Sequence, residues 1–209
     1  MKIAMINGSP KGKNSASGVL LQDLKSYLTE NAEIKEFCFN KPQIDERMMA
    51  DLYPCDALVF AYPLYVDGIP SHLLSCLREL EKEGINNKNC MVFCIVNSGF
   101  FEGKQNAIAI EILKNWCHKM KLQWGMGIGV GGGGSLFQMQ SAPLGTGPKK
   151  SLGNAYTLLK HCLEDQTSGE DLYISVNLPK WIYKLGAEAG WKQMIKKNGG
   201  RAKDLWYRY

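Results

Sequence analysis

Short apolar runs alternate along the chain with stretches in which apolar residues return every three or four positions. Residues 2–7 (KIAMIN) read as a strand, and Leu20, Leu21, Leu24, Tyr27 and Leu28 keep the spacing of one helix face. Residues 34–39 form a second, weaker strand. A short helix over 46–53 precedes a third strand at 56–61. Leu73, Leu74, Leu77 and Leu80 mark the next helix. Residues 90–96 (CMVFCIV) are apolar throughout, as a strand covered on both faces must be. A helix carrying Ala109, Ile112, Leu113, Trp116 and Met120 leads to a fifth strand over 124–130, and Leu152, Ala155, Tyr156, Leu159 and Leu163 mark a further helix.

Five strands alternating with helices predict a parallel sheet covered on both sides. Right-handed crossovers make it doubly wound, in the flavodoxin-like order 2-1-3-4-5. Residues 1–171 are expected to form this domain, and 172–209 a C-terminal helical extension packed on it or on a partner subunit. Ligands on such sheets sit outside the carboxyl ends of the strands, where strand order reverses. That directs attention to residues 8–18, 62–70 and 97–105.

The first of these loops, G8-S-P-K-G-K-N-S-A-S17, matches neither familiar phosphate motif. For a P-loop the distance from Gly8 to Gly12-Lys13 is one residue short, and Asn14 stands where a magnesium-binding hydroxyl belongs. A GxGxxG pattern occurs instead at residues 129–134, but two prolines and no helical period follow it, so a turn against neighbouring backbone or a ligand is the better reading. What the first loop does offer is hydroxyls on Ser9, Ser15 and Ser17, charge on Lys11, and backbone N–H groups around Asn14, Ser15, Ala16 and Ser17 at a helix start. This suits a terminal phosphate monoester held without metal. The plainer alternative is that Asn14 or Ser15 caps the helix. After strand 3, Pro63 and Pro70 stiffen a turn that presents Tyr65, with Gly68 expected to adopt the unusual backbone conformation. After strand 4, Asn97, Ser98 and Gly99 offer polar groups beside Phe100 and Phe101. Such loops can hold a flat heteroaromatic ring.

With these three loops, NGSP and NSAS, YPLYVDGIP, and NSGFFEG, the chain resembles the flavodoxin-fold NAD(P)H-dependent FMN reductases over residues 1–130. The tail, with PKWIYK, GWK and KKNG, is similar to that of a bacterial subgroup. The resemblance implies that the first loop (Ser9, Lys11, Asn14, Ser15, Ala16, Ser17) binds the phosphate of FMN. Pro63, Leu64, Tyr65 and Val66, with Asn97, Ser98, Gly99, Phe100 and Glu102, would hold the isoalloxazine. It implies ping-pong transfer of hydride from NADPH or NADH through FMN to a small-molecule electron acceptor: a quinone, free flavin, azo or nitro compound. A homodimer is expected, because flavin sites are often completed across a dimer in this family.

Charge and composition narrow the alternatives. The net charge is +5, of which residues 180–209 supply +6, so the basic character belongs to the tail. It is expected to be a solvated helix face rather than a nucleic-acid site. Six of the chain's Trp and Tyr residues (Trp181, Tyr183, Trp191, Trp206, Tyr207 and Tyr209) lie there, and Gly186 and Gly190 are expected to interrupt its helix. An acidic electron carrier of flavodoxin type is the first rival, and an inactive flavodoxin-like binding module the second. A receiver domain lacks its acidic pair, since Asn7-Gly8 follows strand 1. His72, His118 and His161 fall far apart on helices, and no Ser-His-Asp set, carboxylate pair, CxxC or metal cluster presents itself. No indispensable catalytic side chain is expected, because a flavin supplies the reactive atom. Seven scattered cysteines read as reduced core thiols. With no leader and no membrane-spanning run, a cytoplasmic protein is expected.

Overall fold

The computed structural model describes residues 1–28 and 32–206. Six parallel strands, β1 (Lys2–Asn7), β2 (Glu33–Cys38), β3 (Ala57–Pro63), β4 (Met91–Asn97), β5 (Gln123–Gly131) and β6 (Leu172–Ser175), form one sheet in the order β2-β1-β3-β4-β5-β6. Among the described residues seven helices accompany them: α1 (Ala16–Lys25), α2 (Glu46–Leu52), α3 (Ser71–Glu83), α4 (Ala107–Lys119), α5 (Gly133–Gln138), α6 (Lys150–Glu164) and α7 (Lys180–Lys197). The doubly wound flavodoxin-like order is therefore present, extended by one strand. The sixth strand, Leu172–Ser175, lies beyond the five the periodicity predicts, because it is four residues long and only half-buried along its length. It pairs with β5 from Ile128↔Leu172 to Gly131↔Ser175, so residues 172–175 belong to the sheet and not to a tail.

Burial follows the two periods of the sequence. Every residue of β4 is buried, and β1 is buried from Ile3 onward. On one side of the sheet Ala4, Ile6, Leu58, Phe60, Val92 and Val96 pack with Leu73, Leu77, Leu113 and Trp116 of α3 and α4. The intervening residues, Ile3, Met5, Val59 and Ile95, face the other side, where α1 and α6 lie. There the Tyr156 hydroxyl donates to Leu20 O at 2.8 Å, and Tyr27 meets Tyr156 edge-on. Each fully buried Leu, Ile, Val or Phe contributes about 1.5–3 kcal/mol, so these two layers dominate the stability. α1 stops at Lys25, which leaves Tyr27 and Leu28 beyond the helix the spacing predicts.

The glycines of β5 serve packing. A Cβ on Gly125 would lie 2.2 Å from the Phe93 ring, one on Gly129 2.7 Å from Gly103 O, and one on Gly131 2.0 Å from Phe101 O. The alternation lets the segment after β4 press directly onto β5. Gly132 (φ +76°) then turns the chain into α5, where no helical period was visible. The GxGxxG pattern thus meets neighbouring backbone.

A fully buried lysine fastens the segment after α5. Lys149 Nζ donates to Asp23 Oδ2 of α1 at 2.9 Å and to Gln140 O at 3.1 Å. Burial pushes the Asp23 carboxyl up, against the pull of Lys149.

The chain divides into two compact units, Met1–Asn177 and the stretch from Leu178 onward. In the second, α7 follows Pro179 and runs continuously through Gly186 and Gly190, which do not interrupt it. It has no buried residue, and Trp181, Leu185 and Trp191 are each more than half exposed. Tyr207 and Tyr209 lie outside the described residues. No helix among the described residues is long and apolar enough to cross a membrane.

Candidate functional site

The three loops singled out by the sequence meet at the carboxyl ends of β1, β3 and β4. The first is built around Asn7, the last residue of β1. Its side-chain N–H donates to Gly12 O at 2.8 Å, and its Oδ1 accepts from Ser9 N at 3.0 Å. Gly12 takes the left-handed conformation (φ +62°) that closes the loop. Ser15 is the N-cap of α1: its Oγ accepts from Gly18 N at 3.1 Å and donates to Gly12 O at 2.6 Å. That hydroxyl is engaged in capping. The first two helical N–H groups, Ala16 and Ser17, have no intrahelical acceptor, and they carry the positive end of the helix dipole. Ser9 is buried and accepts from Lys11 N at 3.3 Å, while the Lys11 and Asn14 side chains are exposed.

Ser17 is buried, and its Oγ accepts from Asn97 Nδ2 at 2.8 Å. Since that oxygen already receives a hydrogen bond, the Ser17 proton remains to be donated. Asn97 Nδ2 also reaches Tyr62 O at 3.1 Å, and Asn97 O accepts from Leu64 N at 2.8 Å. One buried asparagine therefore joins the first helix to the ends of β3 and β4.

After β3, Tyr65 and Gly68 exchange backbone hydrogen bonds of 3.1 and 3.0 Å. The two residues between them carry the turn: Val66 has φ +48° and Asp67 φ +56°, whereas Gly68 does not have positive φ, contrary to expectation. Tight turns with two left-handed residues suit the strand twist, and the sequence places Val where Asn or Gly is usual. Val66 is fully exposed and the Tyr65 ring about half exposed. Pro63 closes β3, beside Asn97 on β4.

After β4, Ser98 N donates to Val130 O at 3.0 Å and Ser98 O accepts from Gly133 N at 2.8 Å. The Ser98 hydroxyl is buried with no hydrogen-bond partner among the described residues. Gly99 is open, Phe100 is half exposed, and Glu102 is exposed ahead of a 3-10 turn at Gly103–Asn106.

These residues suit FMN chemically. Two helix-start N–H groups, donor hydroxyls and Lys11 fit an acceptor-only phosphate. The unpartnered Ser98 hydroxyl and the exposed rings of Tyr65 and Phe100 fit the polar rim and the faces of a flavin. Among the described residues, no group of three or more His, Cys, Asp or Glu could hold a metal ion.

Two supporting residues escaped the sequence reading. Asn7 organises the first loop, and its signal was an amide at a strand end directly before glycine. His72, on α3, places Nε2 3.1 Å from Gly8 O and so braces the same loop from the neighbouring element. Its spacing gave no sign of this, because the partner is a backbone atom 64 residues away.

No protein-family model and no curated protein matches the sequence. Solved structures do match the fold. An apo NADH:FMN oxidoreductase shares 14% identity at a TM-score of 0.58, over 81% of this chain and 91% of that one. An NADPH-quinone reductase from P. pentosaceus shares 14% identity at a TM-score of 0.53, over 75% and 95%. The Trp repressor binding protein from Bacillus subtilis shares 16% identity at a TM-score of 0.53, over 77% and 97%. At these identities the likeness is one of architecture: the chain has the flavodoxin-like fold that these proteins share.

Proposed function

We propose that this protein is an FMN-dependent oxidoreductase that passes hydride from NADH or NADPH to a small acceptor such as a quinone, free flavin, azo or nitro compound. The observation that carries the reading is the convergence of the α1 start, the Tyr65 hairpin and the unpartnered Ser98 hydroxyl at one sheet edge, joined through Asn97. Two of the fold neighbours are described as an NADH:FMN oxidoreductase and an NADPH-quinone reductase, which supports the same reaction class.

Bound there, FMN would supply the hydride-accepting and hydride-donating chemistry. The protein's part is to bind and orient. The Ala16 and Ser17 N–H groups, the Ser9 and Ser17 hydroxyls and Lys11 would hold the phosphate. Pro63, Leu64, Tyr65, Val66, Asn97, Ser98, Gly99, Phe100 and Glu102 would surround the ring. One face must stay open for the donor and then the acceptor to occupy in turn. We propose a cytoplasmic homodimer, with the exposed Trp181, Leu185 and Trp191 of α7 as the surface for the second copy.

The flavodoxin-type electron carrier remains the rival, and the net charge of +5 favours the reductase, since such carriers are typically acidic. Steady-state oxidation of NADH and NADPH by FMN-loaded protein, with benzoquinone or menadione varied, separates them. The proposal expects turnover with parallel double-reciprocal lines. Flavin binding without nicotinamide turnover would favour the carrier.

A further inference from the structure

A cavity of about 580 Å³ lies beside the first loop, on the β2 side of α1. The loops proposed to hold the flavin ring follow β3 and β4, on the opposite side of β1. The first loop therefore stands between the cavity and the ring site. The cavity is built from four elements. Met5 and Asn7 come from β1, Gly18, Val19 and Gln22 from α1, Glu36 and Cys38 from β2, and Gln140 and Ser141 from the segment that Lys149 fastens.

Its chemistry is mixed in a definite way. Met5, Val19 and Leu21 give an apolar wall. Lys13 stands at the end nearest the phosphate loop and is exposed. Glu36 holds Lys25 Nζ at 2.6 Å with one oxygen and Gln22 Nε2 at 3.2 Å with the other, and a carboxylate with two bonds made still has lone pairs to accept hydroxyls. Lys25 first, and Lys13 more weakly, keep this carboxyl below its ordinary range, so it is ionised at neutral pH. Asp23, against the same wall, is paired with the buried Lys149. An apolar wall, a cation toward a phosphate and a carboxylate on the second strand is the arrangement that receives a base, a phosphate and ribose hydroxyls in parallel α/β sheets. The volume is in the range of small-ligand sites.

We infer that this cavity is an adenylate site: it takes the adenosine monophosphate part of a dinucleotide, with the base against Met5, Val19 and Leu21, the ribose hydroxyls toward Glu36 and the phosphate toward Lys13. The inference rests on the flavin reading for the order of the subsites, not for the chemistry of the cavity. Two sources present this group. In FAD the adenylate continues from the flavin phosphate across the first loop. In a pyridine nucleotide it is the half remote from the nicotinamide.

The test is titration of the full-length protein with AMP, FMN and FAD separately, followed by calorimetry and by amide chemical shifts. AMP is expected to bind and to move the amides of Val19, Cys38 and Ser141. Val19→Trp, which fills the cavity, is expected to weaken AMP at least tenfold and leave FMN within twofold. FAD binding at least tenfold tighter than FMN assigns the site to the flavin dinucleotide. FAD no tighter than FMN, with NADH displacing AMP, assigns it to the donor. FMN binding with the Val19, Cys38 and Ser141 amides unmoved by AMP overturns the inference and leaves the flavin reading standing. Binding of neither overturns both. The wild-type shifts decide the matter even where Val19→Trp fails to fold.

Discussion

Asn97 Nδ2 lies 2.8 Å from Ser17 Oγ, linking the end of β4 to the first turn of α1 across 80 residues of sequence. The bond fixes which way the Ser17 hydroxyl donates. Asn97→Ala removes that constraint, and FMN affinity is expected to fall about tenfold, roughly 1.4 kcal/mol. Asn97→Asp is expected to cost more, because a carboxylate cannot donate and would draw the Ser17 proton toward itself. Riboflavin affinity should fall less than FMN affinity in either variant, since the phosphate interaction is lost from FMN alone while any contact of Asn97 with the ring is lost from both. Fluorescence titration with both flavins checks this. Equal losses for FMN and riboflavin would place the role of Asn97 outside the phosphate site.

Val66 carries a strained backbone at full exposure. A β-branched residue in the left-handed region costs about 1–2 kcal/mol. No described residue shields Val66 in return. Val66→Asn is therefore expected to raise the stability by about 1 kcal/mol, because Asn tolerates this conformation. Chemical denaturation of the cofactor-free protein measures it. A destabilised variant would mean that Val66 makes a contact worth more than its strain.

The close approach of Phe101 to β5 sets a sharper contrast. Gly131→Ala would place a methyl group 2.0 Å from a backbone oxygen, which cannot move aside as a side chain could. The expected loss is at least about 3 kcal/mol, at the upper end of overpacking effects. Gly134→Ala, three residues on, meets nothing within 4 Å and should be within about 0.5 kcal/mol of wild type. Paired denaturation curves decide between packing and a ligand-contacting role for this glycine run. In the latter case Gly131→Ala would retain wild-type stability and lose flavin.

Burial pushes the thiols of Cys55 and Cys76 up to about 11, those of Cys90 and Cys117 up to about 12, and that of Cys94 further still. An unfolded thiol titrates near 8.5. Below that pH both states hold the proton and these groups leave stability unchanged. Above it the unfolded chain ionises while the native chain does not, so stability falls with rising pH until the native values are reached. Each thiol contributes a slope of about 1.4 kcal/mol per pH unit within that window. Cys90→Ala with Cys117→Ala should flatten the decline in denaturation midpoint between pH 8 and pH 10. A decline as steep as that of wild type would show that these thiols ionise in the native state.

Much of this architecture was legible because its signals are local. The buried strands β1, β3 and β4 are continuous apolar runs, and the loops that follow them announce themselves by Gly, Pro and Ser. The sixth strand was not legible, since Leu172–Ser175 is short and gains its place by pairing with β5. Nor was the exact chemistry of the serines. Ser15 and Ser17 look alike in sequence, yet one caps a helix while the other accepts from an asparagine two strands away. Val66 and Gly68 show the same limit: the residue with positive φ is set by the hairpin's closure, not by residue type. What sequence cannot display is a hydrogen bond whose partner arrives through the fold, as with His72 and Gly8 or Lys149 and Asp23.

On the reading proposed above, the carboxyl edge of β1, β3 and β4 holds FMN through its phosphate and its ring together. Equilibrium titration of the full-length protein with FMN and with riboflavin tests it most directly, read by flavin fluorescence and by the absorbance of the bound flavin. Saturable FMN binding in the micromolar range or tighter is expected, with riboflavin at least tenfold weaker. Failure to bind FMN, or equal affinity for the two flavins, would contradict it.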